Sequence, residues 1–169
     1  MDKKVNCMEE TIKKYFRYVR KATPDDVSRM AEIYVFNNRM EYFPVFNNVN
    51  FSFGELQVLS YANTLKSSMP VHTYVYDDGV IKGFVIVDGE EISKLHIEYF
   101  FQNQGIGSVL LEYAIRFCNG KFLWVLKKNK RATKFYESKG LIYSGEKNVL
   151  YGLNGHTEFV IKMQVKGDD

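Results

Sequence analysis

The chain has 169 residues, and 23 Lys and Arg against 20 Asp and Glu leave a formal charge of +3. This length is typical of one domain, and 46% hydrophobic with 25% charged residues is typical of a folded globular protein. No run approaches the roughly 18 apolar residues of a membrane span, residues 1–10 do not resemble a signal peptide, and the charge is too small to demand nucleic acid. We therefore expect one cytoplasmic domain over 1–169, with neither a membrane nor a nucleic acid as partner.

Two elements are predicted before the first strong helix signal. Apolar residues at helical spacing over 8–16 predict a short amphipathic helix that extends the domain at its start. Residues 16–21 alternate apolar and basic side chains, which predicts a half-buried strand. The segment 23–26, Thr-Pro-Asp-Asp, then predicts a helix start, because Thr can cap, Pro suits the first turn and acids favour the positive end of the dipole.

Residues 37–70 look less regular. Five aromatic side chains fall close together there and are interrupted by Pro44: Tyr42, Phe43, Phe46, Phe51 and Phe53. They are interpreted either as a small hydrophobic cluster or as the wall of a pocket.

The remainder of the chain alternates strand and helix signals. Turn residues at 77–79 and 88–89 separate three predicted strands, and Gly140 is suited to end the last helix. This order predicts an α/β protein built around one sheet. The predicted strands are 72–76, 80–87, 91–97, 121–127, 141–150 and 156–165, and the helices have apolar stripes at 109–117 and 132–136.

The loop 102–108, Gln-Asn-Gln-Gly-Ile-Gly-Ser, is the most informative segment. It follows a predicted strand and opens a helix, and its two glycines leave the backbone amides accessible to an anion such as phosphate. A plain strand-to-helix turn is the alternative. A dinucleotide fingerprint would need Gly at Leu110 and an acid near Lys127, and the Gly-Lys-Ser/Thr of a nucleoside-triphosphate loop is missing from the chain.

The pattern Gln-x-x-Gly-x-Gly at 102–107 resembles the acetyl-coenzyme A loop of the GCN5-related N-acetyltransferases (GNAT superfamily). Residues 129–141, from Asn129 through Phe135-Tyr136 to Gly140-Leu141, resemble the family segment Asn-x-x-Ala-x-x-Phe-Tyr-x-x-x-Gly-Phe, and 95–97 stands where the family has its pantetheine strand. The resemblance covers about 17–165. Tyr99 replaces a common Pro, and Leu141 replaces the usual Phe.

The resemblance implies a mixed, mostly antiparallel sheet flanked by helices. It also implies an N-acetyltransferase that moves the acetyl group of acetyl-CoA directly to a primary amine of a small molecule or peptide, as a monomer or homodimer. A catalytically idle module on the same fold, which binds acyl-CoA or a protein partner, is the alternative.

The resemblance further implies the donor-binding residues. Backbone amides of the loop would bind the pyrophosphate, and Gln102 would shape the loop. In the family a bulge splays the strand of 95–97 from the next, here 122–127, so that a free amide near Ile97 could stabilise the oxyanion. Asn129 would cap the last helix and reach the cofactor. The loop residues are Asn103, Gln104, Gly105, Ile106, Gly107 and Ser108, and the main chains of Leu95, His96 and Ile97 would pair with pantetheine.

Two residues are predicted to be catalytic. Tyr136 is the candidate general acid for the departing thiolate, although it could simply pack beside Phe135. Glu91 is the candidate base, since alternation places it on one strand face with Leu95 and Ile97. Alternatively, Glu91 is a solvated acid at the end of its strand. His96, Glu98 or a chain of water molecules would then act as the base.

Other reactive residues predict no further chemistry. Cys7 and Cys118 have no neighbouring His, as a nucleophile would need, and the three His residues form no metal motif, so no metal is expected. Five bases between Lys127 and Lys134 predict either a solvated face or a positive rim that attracts the phosphates of the cofactor.

Overall fold

The computed structural model describes residue 14 and residues 16–151 and 157–167. The predicted N-terminal helix over 8–16 falls almost entirely outside these residues, as do Cys7 and His156.

A seven-stranded sheet forms the centre of the described protein, in the order β1-β2-β3-β4-β5-β7-β6. Only β4 and β5 pair in parallel, and the other neighbours are antiparallel, which confirms the predicted fold class. The strands are β1 (Val19–Lys21), β2 (His72–Asp77), β3 (Ile81–Asp88), β4 (Glu91–Ile97), β5 (Phe122–Leu126), β6 (Leu141–Tyr151) and β7 (Thr157–Val165).

Helices cover both faces of this sheet. They are α1 (Val27–Phe46), α2 (Val58–Ser68), α3 (Ile106–Phe117) and α4 (Lys130–Ser138). Phe84 and Ile86 of β3 pack in one core cluster with α1 and α2, whereas Val85 and Val87 pack in another with α3 and the apolar side of α4. Since adjacent strand residues point to opposite faces, α1 and α2 lie opposite α3 and α4.

The prediction of an irregular segment over 37–70 is wrong. Helix α1 continues through Pro44 to Phe46, because a proline in the last turn removes a single backbone hydrogen bond. A π-helical turn over Asn50–Glu55 and helix α2 follow. The predicted helix start at 23–26 is confirmed as a 3₁₀ turn over Pro24–Asp26, where the Asp26 carboxylate accepts the Thr23 N–H at 2.7 Å.

A β-bulge in β4 reverses the predicted alternation of its side chains. Ile92 pairs with Val87, but Lys94 pairs with Ile86, so Ser93 is an extra residue. Glu91 consequently lies on the α1 face, and the prediction that it shares a face with Leu95 and Ile97 is wrong. The resemblance implies a bulge in this strand, but its position at Ser93 could not be predicted because it depends on how β4 pairs with β3.

Strands β4 and β5 separate soon after they meet. Their one pair in the sheet is Glu91 with Phe122, and from there β5 pairs only with β7. A gap therefore opens between the C-terminal halves of β4 and β5.

Among the described residues, no helix combines the length and apolarity needed to cross a membrane.

Candidate active site

The gap between β4 and β5 opens into a cleft of about 680 Å³ that passes through the sheet. Helix α1 lines it on one face, and the loop 102–108 and α4 line it on the other. Two ligands that enter from opposite faces could therefore meet inside the sheet.

The glycine-rich loop ends as the N-cap of α3. Gly105 has a φ of 86°, a left-handed conformation that favours glycine, and the first N–H groups of α3 have no intrahelical acceptor. A Cβ on Gly107 would lie 3.5 Å from Ile97 and Phe135, so this position faces the cleft. Amides and helix dipole here can bind an anion.

Not every loop side chain faces the cleft. Gln102, Asn103, Gly105, Gly107 and Ser108 line it. The Gln104 amide nitrogen instead donates to the Phe100 carbonyl at 3.3 Å, and Ile106 is a core residue with 4% exposure. Gln104 and Ile106 therefore offer only their main chains to a ligand.

Gln102 ties the loop to two other elements. Its Nε2 donates to the Ile97 carbonyl at 3.2 Å, and its Oε1 accepts from Arg131 on α4 at 2.8 Å. The Arg131 guanidinium therefore lies beside the loop, where it adds positive charge to the rim of the cleft.

The main chain of β4 alternates between the sheet and the gap. The Glu98 N–H donates to the Lys82 carbonyl at 2.8 Å. Because hydrogen-bonded pairs alternate along an antiparallel ladder, the next such pair is Phe84 with His96. The main-chain groups of Leu95 and Ile97 therefore point away from β3, toward the gap. The prediction that His96 pairs with pantetheine through its main chain is therefore wrong, because β3 already engages that main chain.

His96 lines the cleft with its side chain instead. The ring packs 5.1 Å from Tyr34 and 5.5 Å from Phe84, measured between centroids. Burial and, secondarily, repulsion by Lys94 lower the pKa of His96 from 6.5 to about 3. The ring is therefore neutral at neutral pH and a poor proton acceptor.

Helix α4 brings Tyr136 into the cleft. The Asn129 Oδ1 caps this helix by accepting the Ala132 N–H at 3.0 Å, which confirms the predicted cap. Burial raises the pKa of Tyr136 above its ordinary value of 10, and the charge of Glu41 adds to the shift. The phenol therefore keeps its proton and remains a donor.

Sequence reasoning missed the wall that α1 contributes. The residues of α1 that line the cleft recur at helical spacing, but Pro44 and the asparagines of 37–70 mask this signal in the sequence: Tyr34, Asn37, Asn38, Glu41 and Tyr42. Glu41 is exposed at the mouth, yet protein around its carboxylate raises its pKa, with Arg131 acting in the opposite sense. The aromatic residues of this segment take both predicted roles. Tyr42 lines the cleft, whereas Phe43 packs edge-on against Phe53, with 5.1 Å between the ring centroids.

Glu91 does not line this cleft. It lies where β4 still pairs with Phe122, at the closed end of the gap. Lys94, on the same face, does line the cleft; burial lowers its pKa, and Glu91 partly offsets the shift.

Comparison with known proteins places the chain in a family. Residues 30–141 match the family model of the acetyltransferase (GNAT) family. A peptidyl-lysine N-acetyltransferase, YjaB, of Salmonella typhimurium is 31% identical over 80 residues, which cover 47% of this chain and 55% of that enzyme. The match thus spans little more than half the length of this relative. Because the family match spans more than half of the chain, the protein belongs to the acetyltransferase (GNAT) family.

Solved structures share its fold. An N-acetyltransferase from Staphylococcus aureus Mu50 has a TM-score of 0.67 at 17% identity and covers 87% of this chain and 99% of its own. The putative acetyltransferase yncA of Salmonella typhimurium, solved with acetyl-CoA, has a TM-score of 0.59 at 16% identity, with 89% and 94% covered.

Proposed function

We propose that the protein transfers the acetyl group of acetyl-CoA directly to a primary amine of a small molecule or peptide. The cleft through the sheet carries the proposal, because it joins an anion-binding loop on one face to a polar, tyrosine-rich wall on the other. The donor would bind from the α3 and α4 face, and the acceptor would enter along α1. The chain would act in the cytoplasm as one domain, as a monomer or homodimer.

The donor site follows from the groups that face the cleft. The amides of 103–108 would bind the pyrophosphate, with Arg131 nearby as a positive neighbour. The main chain of Leu95, which faces the gap, would pair with pantetheine, whereas the Ile97 carbonyl already accepts from Asn37 and Gln102 and only its N–H stays open to the gap. Asn129 lines the same cleft and could reach the cofactor while it caps α4.

Three groups would serve the reaction. The amine nitrogen attacks the thioester carbon while the Ile97 N–H donates to the developing oxyanion. The carbon–sulfur bond then breaks, and Tyr136 acts on the departing thiolate through a hydrogen bond from its O–H, since the raised pKa of the phenol lies above the roughly 8.5 of a free thiol. The nitrogen then loses its extra proton. Glu41, at the mouth of the cleft, is better placed to accept this proton than Glu91, which lies outside the cleft.

A panel of amines tests the proposal. Purified protein is incubated with acetyl-CoA and a lysine derivative blocked at its α-amine, chosen because a relative is a peptidyl-lysine acetyltransferase, together with an alanyl peptide and small aliphatic amines. We expect amine-dependent thiol release and the acetylated product by mass spectrometry. Binding of acetyl-CoA without acetylation of any amine would favour the idle module.

A further inference from the structure

Asn37 carries an unusual polar atom in the wall of the cleft. The side chain is buried, with 3% exposure, and lines the cleft from α1. Its Nδ2 donates to the Ile97 carbonyl at 2.8 Å, which fixes the orientation of the amide. Its Oδ1 then has no hydrogen-bond partner among the described residues. Buried acceptors are rarely left unpaired, so this oxygen points to a missing donor.

The position of Asn37 indicates which ligand supplies that donor. Asn37 belongs to the α1 face, whereas the anion-binding loop and Tyr136 belong to the other. It also contacts the same Ile97 whose N–H faces the gap. The missing donor therefore lies where the two proposed substrates meet, on the side from which the acceptor enters.

We infer that Asn37 Oδ1 accepts a hydrogen bond from the N–H of the acceptor amine and holds its lone pair toward the thioester carbon. This inference rests on the proposed function. A neutral primary amine has two N–H groups besides its lone pair, so it can donate to Asn37 and still attack. As the new carbon–nitrogen bond forms, the nitrogen becomes positive and the hydrogen bond strengthens, which favours the transition state over the bound substrate.

Two coenzyme A derivatives test the contact without turnover and without knowledge of the acceptor. One carries –CH2–CO–NH–CH3 on its sulfur, which places an N–H where the acceptor nitrogen would sit, and the other carries –CH2–CO–N(CH3)2. Calorimetry should show that the wild-type protein binds the N–H compound about tenfold more tightly, as one net hydrogen bond implies. In Asn37→Leu this preference should fall to near one.

Further variants separate the oxygen from the bulk of the side chain. Asn37→Ala removes the oxygen without adding bulk and should also lose the preference, which covers a Leu variant that does not fold. Thr73→Val is the control, since Thr73 is also buried, with 1% exposure, but donates to the Pro70 carbonyl at 2.8 Å and lies outside the cleft. Its preference should equal that of the wild type.

Two outcomes would overturn the inference. An unchanged preference in Asn37→Leu and Asn37→Ala would mean that Oδ1 does not meet the nitrogen. An equal loss of affinity for plain coenzyme A in these variants would assign the oxygen to pantetheine instead. Neither outcome depends on acetylation, so failure of the inference and failure of the proposed function are distinguishable.

Discussion

The Tyr136 phenol and the Glu41 carboxylate interact electrostatically through the gap between β4 and β5, although α4 and α1 pack on opposite faces of the sheet. The negative charge of Glu41 adds to the effect of burial and raises the pKa of Tyr136. The proposed acid for the leaving thiolate and the proposed proton acceptor at the cleft mouth therefore influence each other electrostatically.

Replacing Tyr136 with Phe should slow the chemical step without loosening the donor. If the phenol donates to the thiolate, kcat should fall by roughly 10²–10⁴. Loss of one hydroxyl should change the free energy of unfolding by no more than about 1–2 kcal/mol. Stopped assays measure kcat, urea unfolding measures the free energy of unfolding, and calorimetry with coenzyme A checks that affinity for the donor is kept. Tyr151→Phe, on a residue with 78% exposure, is the control, and full activity in Tyr136→Phe would reduce Tyr136 to a packing residue.

A pair of Gln variants decides which carboxylate accepts the proton of the amine. Glu41→Gln should lower kcat/KM for the amine at neutral pH and recover part of it toward pH 10, because an aliphatic ammonium with a pKa near 10.4 then loses its proton unaided. Glu91→Gln should change kcat/KM little, since Glu91 lies outside the cleft. The reverse ranking in a pH-rate series would restore Glu91 as the base.

These carboxylates also mark the limit of sequence reasoning. The Asn129 cap could be predicted because it depends on local spacing, and the places of the loop 102–108 and of Tyr136 beside the cleft follow from the resemblance to the family. The face of Glu91 could not be predicted, because the bulge at Ser93 arises from the pairing of β4 with β3. Glu41 was missed for a different reason: Pro44 suggested a break, but α1 continues through it.

Branching the side chain at Gly107 should block the donor site and spare the fold. A Cβ there would make only ordinary contacts of 3.5 Å with Ile97 and Phe135, and the added methyl groups of Val would fill part of the cleft that this position lines. Gly107→Val should therefore lower coenzyme A affinity at least about tenfold, as the loss of one hydrogen bond to a charged phosphate implies. Calorimetry and circular dichroism check affinity and fold. Gly167→Val, in open space, is the control, and wild-type affinity in Gly107→Val would contradict the assignment of the loop.

His96 should make the protein less stable as the pH falls. Its pKa is lowered to about 3 in the folded protein, whereas the unfolded chain has the ordinary 6.5, so the unfolded state binds the extra proton below pH 6.5. Stability is then lost at up to about 1.4 kcal/mol per pH unit as pH falls from 6.5 toward 3.

Comparison with His96→Leu between pH 6.5 and pH 4.5 separates this histidine from Asp26 and from Glu41, whose raised pKa acts in the opposite sense in this window. Hydrogen bonds from Arg20 lower the pKa of Asp26 to about 2, so its contribution is lost only below its unfolded value of 3.8. Urea unfolding at several pH values should give a steeper decline for the wild-type protein than for His96→Leu. Equal slopes would mean that the His96 ring takes up a proton in the folded protein, and this would reopen the question of whether it serves as a base.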